Sequence, residues 1–145
     1  MSIIKEIYDV AKDGITLTTQ RTAIKRALRT ELKLNRKFLL DIEEDNEIDN
    51  IRRIEIVQML EIIELASAVK YEIPYMAISS RQVTAELANN LKIKRLKGAG
   101  IEQIIETLYL LISYLKKDYK NKRISLNLRL INIYKYNKAL LELLN

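Results

Sequence analysis

The chain has 145 residues, 48% of them hydrophobic and 30% charged, with a net charge of +6. That is the length and composition of one folded domain with a sizeable core, and it excludes a disordered chain. Cysteine and histidine are both absent, which excludes disulfides, thiolate or imidazole nucleophiles, Cys/His metal sites and a histidine pH switch.

Only 3 glycines and 1 proline punctuate the sequence, too few for the tight turns of an all-β fold. Residues 2–13 put Ile3, Ile4, Ile7, Tyr8, Val10 and Ala11 on one side of a helical wheel. Lys5, Glu6, Asp9, Lys12 and Asp13 fall on the other side. This predicts a short amphipathic helix with Ser2 as its N-cap and Gly14 as its stop. The acids in this segment are wrong for a secretory signal, so a cytoplasmic location is expected.

A second helix is predicted from residue 18 or 19 to residue 43. Leu17, Ile24, Leu28, Leu32, Phe38, Leu39 and Ile42 make its apolar face. Arg21, Lys25, Arg26, Arg29, Lys33, Arg36 and Lys37 fill an adjoining arc. Glu31 and Asn35 lie one turn apart inside the apolar face. A third helix is predicted from residue 47 to residue 69 or 70, after an acidic turn. Its apolar residues, Leu60 and Ile63 among them, cover nearly the whole circumference. Such a helix must be enclosed on most sides, which points to a homo-oligomer or a permanent partner.

Pro74 is expected to end that helix, and Ser79 or Ser80 to cap a short one running through residue 89. Residues 90–100 form a basic connector with Lys92, Lys94, Arg95, Lys97 and two glycines. In residues 101–119, Ile101, Ile104, Ile105, Leu108, Leu111, Ile112 and Leu115 make one stripe. The last helix is predicted over residues 125–144, with Leu126, Leu128, Ile131, Tyr134, Leu140, Leu141 and Leu144 inward and Arg129 near the centre of that face. A basic turn, 116–123, joins these two helices. The expected fold is all-α: one domain over residues 1–145, an up-and-down bundle of four long helices plus a short N-terminal amphipathic helix.

Charge is segregated along the chain: +5 over residues 1–40, −7 over 41–72 and +8 over 73–145. Acidic and basic segments that neutralise each other across a bundle account for this, and a uniformly basic nucleic-acid binder would not hold the acidic block. The richness in Ile, Asn and Lys is that of an AT-rich bacterial or phage genome.

Four features bear on function. The basic arc of the second helix reads as a solvated face or as a binding face, formed by Arg21, Lys25, Arg29, Lys33 and Arg36 and extended by Lys94, Arg95 and Lys97. The glycines of the connector precede a helix among Lys and Arg, as at an anion site, but neither a Walker A loop nor Gly-x-Gly-x-x-Gly is present. Tyr109, Tyr114, Tyr119, Tyr134 and Tyr136 suit a core edge or an interaction surface. Glu31 and Arg129, each charged within an apolar arc, are expected to pair in the core, with Glu61 and Glu64 as alternative partners for Arg129.

No catalytic constellation, metal site or cofactor motif emerges, so the expected function is a non-enzymatic protein-interaction module: an adaptor, a small subunit or an inhibitor- or immunity-type protein, bound to another protein or to itself. The alternative is a helical module that binds nucleic-acid backbone through the second helix and the basic turns. Membrane attachment through the first helix is disfavoured, because Glu6, Asp9 and Asp13 oppose anionic lipid.

Overall fold

The computed structural model describes residues 1–11 and 17–145, with the backbone only at residues 10, 11 and 17–19. Among the described residues every regular element is helical. In chain order these are α1 (Ile3–Ala11), α2 (Leu17–Phe38), α3 (Leu40–Glu43), α4 (Asn50–Met59) and α5 (Ile63–Lys70). They are followed by α6 (Tyr75–Ile78), α7 (Ala85–Asn90), a 3-10 turn (Lys94–Leu96), α8 (Ile101–Asp118) and α9 (Leu126–Leu144).

The long helices follow from their apolar spacing. On α2, Ile24, Ala27, Leu28, Leu32 and the following Leu39 are buried. On α8 the stripe Ile101, Ile104, Ile105, Leu108, Ile112 and Leu115 is buried as expected, and Leu111 is half-buried. α9 is the central helix and packs against α2, α3, α4 and α8. Leu130, Ile133, Ala139, Leu140, Leu143 and Leu144 give it a buried face. Each fully buried Leu or Ile contributes about 1.5–3 kcal/mol over an exposed one. Ser125 caps α9 by accepting a hydrogen bond from the Leu128 amide. The inward set for this helix is corrected: Leu128 is 62% exposed and Ile131 and Tyr134 are only half-buried, whereas Leu130 and Ile133 are in the core.

The N-terminal helix forms as expected. Ser2 Oγ accepts from the Lys5 amide at 3.1 Å, Ile4 is buried, and Ile7 and Tyr8 are half-buried. Ile3, by contrast, is half exposed. Lys12, Asp13 and the proposed stop at Gly14 lie outside the described residues, as do the side chains of Val10, Ala11 and Leu17.

The main departure from expectation is the third long helix. It is two helices, α4 and α5, separated at residues 60–62. The break contains no glycine or proline. Leu60 has extended backbone, φ −56° and ψ 134°. Remote side chains take over the hydrogen bonds that a continuous helix would make. Lys116 Nζ, on α8, donates to the Val57 carbonyl at 2.9 Å and to that of Gln58 at 3.4 Å. Asn35, on α2, clasps the Glu61 backbone from both sides: its Nδ2 donates to the carbonyl and its Oδ1 accepts from the amide, each at 2.8 Å. The Glu31 carboxylate accepts from the amides of Glu64 and Leu65, both at 2.9 Å.

The break shifts the helical phase and resolves the apolar circumference. α4 buries Ile56 and Val57, whereas α5 buries Glu64, Leu65 and Ala68. Leu60 is buried, but Ile63 is 45% exposed and is not enclosed as the continuous wheel implied.

Two further boundaries differ. The second helix pauses at Leu39 before α3. The helix expected from Ser79 or Ser80 begins instead at Ala85, where Thr84 caps the Leu87 amide at 3.1 Å. Ser79 Oγ donates to the Leu143 carbonyl at 2.7 Å, and Arg81 donates to the carbonyls of Glu142 and Asn145 at 2.6 and 2.8 Å. These bonds satisfy carbonyls that the C-terminal turn of α9 leaves unpaired. The segment between α6 and α8 is closed at its base by the Val83 amide on the Ala99 carbonyl and the Gly98 amide on the Val83 carbonyl. Gly98 has φ +83°, a left-handed conformation that favours glycine.

Candidate interaction surface

The basic arc of α2 divides into three groups. Arg26, Lys33 and Lys37 are exposed on the side opposite the buried Ile24, Leu28, Leu32 and Asn35. Arg21, Lys25 and Arg29 flank this ridge half-buried. Arg36 is exposed but committed: its guanidinium forms an ion pair with Glu43 at 2.9 Å. That contact raises the pKa of Arg36 and holds the Glu43 carboxyl below the usual carboxylate range.

Among the described residues, Lys25, Arg26, Arg29, Lys33 and Lys37 take part in no ion pair. The acidic block that was expected to neutralise them is directed elsewhere. Asp41 pairs with Arg52 at 3.2 Å, and its pKa is lowered by hydrogen bonds from Asn46 and then Arg52. Glu55 pairs with Arg52 at 3.1 Å. The carboxylates of Glu31 and Glu64 are taken by backbone amides at the start of α5 and of α1. α2 therefore presents a cationic ridge, with Leu34 beside it 41% exposed.

The other sequence candidates fall apart spatially or change role. Lys94, Arg95 and Lys97 are exposed on and beside the 3-10 turn. Gly100 precedes α8 as its N-cap with extended backbone, and the helix opens with the acid Glu102. Glu31 and Arg129 do not pair. The Glu31 carboxylate is buried and spent on two backbone amides, and Arg129 is half-buried on α9. The amides win because the start of α5 offers unpaired N–H donors and the positive end of a helix at that point. Burial pushes the Glu31 pKa up, with the Glu64 and Glu61 charges adding to the effect and the two amide bonds opposing it. Of the tyrosines, Tyr136 is buried, Tyr109, Tyr119 and Tyr134 are half-buried, and Tyr114 is 54% exposed.

Two surface clefts lie away from the ridge. One, of about 450 Å³, lies between α3, α7 and α9 and carries Tyr134, Lys135 and Lys138 over Ile42, Leu91 and Ile131. The other, of about 340 Å³, is bounded by Tyr75, Met76, Arg81, Glu102 and Glu106. Burial and the nearby Glu106 and Glu102 push the Tyr75 phenol up to about 12, and its hydroxyl donates to the Ala68 carbonyl at 3.2 Å. Sequence reasoning did not reach either cleft, because each joins residues from separate helices. Among the described residues, no group of three or more His, Cys, Asp or Glu is arranged to hold a metal ion, and no helix is long and apolar enough to cross a membrane.

No protein-family model, curated protein or solved structure matches this chain.

Proposed function

We propose that this chain is a non-enzymatic protein-interaction module and that the outer ridge of α2 docks on an acidic protein surface. The observation that carries the reading is the set of five basic side chains on α2 that make no ion pair among the described residues, three of them exposed. A cationic ridge held on a rigid helix gives orientation and a fast encounter with a complementary anionic face. The exposed Leu34 at its edge adds an apolar contact of the kind protein interfaces use. The same ridge has no aromatic side chain for base stacking, so the nucleic-acid reading ranks second. For the fold, we take α2, the α4–α5 pair, α8 and α9 as the members of an up-and-down bundle, a reading supported by the short connection between α8 and α9.

The test uses isotope-labelled protein at about 50 mM salt, with a polyglutamate peptide and a mixed-sequence oligonucleotide as probes. Polyglutamate is expected to shift the amide resonances around Arg26, Lys33 and Lys37, and the triple variant Arg26→Ser, Lys33→Ser, Lys37→Ser is expected to lose this response. Tighter binding to the oligonucleotide, with a steep salt slope, establishes the nucleic-acid reading instead. A dimer in light scattering that the triple variant abolishes identifies the acidic surface as that of a second copy, whose Glu44, Asp45, Glu47 and Asp49 are exposed. If neither probe perturbs the ridge and the chain is monomeric, the proposal fails.

A further inference from the structure

The break between α4 and α5 has an unusual property: nothing local causes it. Residues 50–70 contain no glycine and no proline, and run through Gln58, Met59, Leu60, Glu61, Ile62 and Ile63 without a helix breaker. In a continuous helix the Glu61 amide would bond to the Val57 carbonyl, the Glu64 amide to the Leu60 carbonyl, and the Leu65 amide to the Glu61 carbonyl. In the structure almost all of these groups are paired with a side chain from another helix. Val57 takes Lys116, both Glu61 groups take Asn35, and the Glu64 and Leu65 amides take Glu31. The bonds on either side of the break, Leu60 to Ile56 and Ala66 to Ile62, are those of an ordinary helix.

We propose that α4–α5 is a two-state element: broken, as seen here, with α1 docked, or straight over residues 50–70, with α1 released. Of the five amides that a straight helix would pair across the break, those of Glu61, Glu64 and Leu65 already have side-chain acceptors, so straightening adds backbone pairing only at Ile62 and Ile63. What favours the broken state is that it gives the ammonium of Lys116, the amide of Asn35 and the buried carboxylate of Glu31 their partners. In the straight state the backbone needs none of the three. Each of these side chains therefore stabilises one state only.

The connection to α1 runs through Glu64. Its carboxylate accepts from the amides of Ile3 and Ile4 and from the Ser2 hydroxyl, so it caps the start of α1. Glu64 itself stands in the first turn of α5, at the point where the break sets that helix's direction. α1 packs on α2 and α5. Straightening redirects α5 and takes the cap away from α1. Release uncovers Ile4 and the surface of α2 and α5 beneath it.

Two variants of the full chain test this. Asn35→Ala removes the clasp on Glu61, and Lys116→Met removes the ammonium from Val57 and Gln58 while leaving the half-buried stem of that side chain in place. The readouts are the backbone carbon shifts of Leu60, Glu61 and Ile62 and the hydrogen exchange of the Ile3 and Ile4 amides. In the wild type the shifts at Leu60 are expected to be non-helical and both amides to be protected. In each variant the shifts of residues 60–62 are expected to move to helical values, the Ile3 and Ile4 amides are expected to exchange at least tenfold faster, and protection in α8 and α9 is expected to remain. Folded variants that keep a non-helical 60–62 segment overturn the proposal. So does faster exchange at Ile3 and Ile4 without straightening. If both variants unfold cooperatively, no straight state lies within reach and the proposal is equally overturned.

Discussion

Glu31 and Glu64 act in series: the Glu31 carboxylate accepts from the Glu64 amide at 2.9 Å, and the Glu64 carboxylate accepts from the amides of Ile3 and Ile4. One acid caps α5 and the next caps α1, so two helix starts depend on side chains supplied from elsewhere in the chain. Replacing Glu31 by Gln keeps one acceptor oxygen and turns an NH2 group towards a backbone N–H. The expected loss is about 2 kcal/mol, the cost of leaving one buried donor unpaired. Urea denaturation at pH 7 measures it, and a variant within experimental error of wild type contradicts the capping role.

The pH dependence of that difference has a definite sign. Burial raises the folded-state pKa of Glu31 above its ordinary value of 4.5. The group is protonated in both states below that value. As pH rises, the unfolded chain gives up its proton first, so this group's contribution to stability falls until pH passes the folded-state value. Subtracting the Glu31→Gln curve from the wild-type curve isolates the group from Asp41 and Glu43, whose lowered pKa values act in the opposite sense. The wild-type advantage should therefore be larger at acid pH than at neutral pH. A difference that grows with pH contradicts the assignment.

Leu60 and Ile63 are neighbours in sequence with opposite fates at the break. Leu60 is 2% exposed and Ile63 is 45% exposed. Leu60→Asp should cost more than about 4 kcal/mol, because it buries an unpaired charge. Ile63→Asp should stay within about 1 kcal/mol, since the new carboxylate sits in the first turn of α5, where negative charge is tolerated. Thermal denaturation of the two variants side by side decides the matter. Equal losses would mean that the helix is continuous and enclosed.

These contrasts define what the sequence could reveal. The apolar spacing of α2, α8 and α9, the Ser2 cap and the basic arc are all local patterns, and all were legible. The break in the third helix was not, because its causes lie far away in sequence. Asn35 is 26 residues from Glu61, and Lys116 is 59 from Val57. Glu31 and Asn35 stood out as polar residues within an apolar face, but a single sequence does not say that their partners are backbone groups. Helix ends were obscured for a different reason. The left-handed positions after α3, α5 and α7 are occupied by Asp45, Glu72 and Lys92, with φ of 54°, 49° and 56°, where glycine is the usual signal. The site was less legible than the fold, since which basic residues remain unpaired depends on where the acids of residues 41–64 turn.

The ridge variant Arg26→Ser, Lys33→Ser, Lys37→Ser should leave the fold intact. All three side chains are exposed and, among the described residues, outside any ion pair, so each change should move stability by no more than about 0.5 kcal/mol. Circular dichroism and a thermal melt should both match wild type closely. A large drop in melting temperature would show that the ridge supports the bundle, and would remove the reason for reading it as a docking face.

Arg81 closes the far end of α9. Its guanidinium donates to the carbonyls of Glu142 and Asn145, and Ser79 beside it takes Leu143. The last turn of a helix leaves carbonyls without partners inside the helix, and a cation there also meets the negative end of the helix dipole. Two effects are therefore combined in one side chain. Arg81→Ala removes both and should cost about 1–2 kcal/mol. Arg81→Lys keeps the charge, but both bonds come from the single nitrogen Nη1, which lies one bond further from the backbone than a lysine ammonium, so it should recover only part of the loss. The damage should be local: hydrogen exchange should accelerate together in the last turn of α9 and in residues 79–83, while α8 keeps its protection. Salt separates the two causes, because the dipole contribution is screened at about 1 M and the hydrogen bonds are not. If Arg81→Ala loses as much stability in high salt as in low, hydrogen bonding dominates. If the loss vanishes in high salt, the clasp is electrostatic and Ser79 alone holds the two segments together. If the exchange of α9 is unchanged at either salt concentration, Arg81 has no structural role.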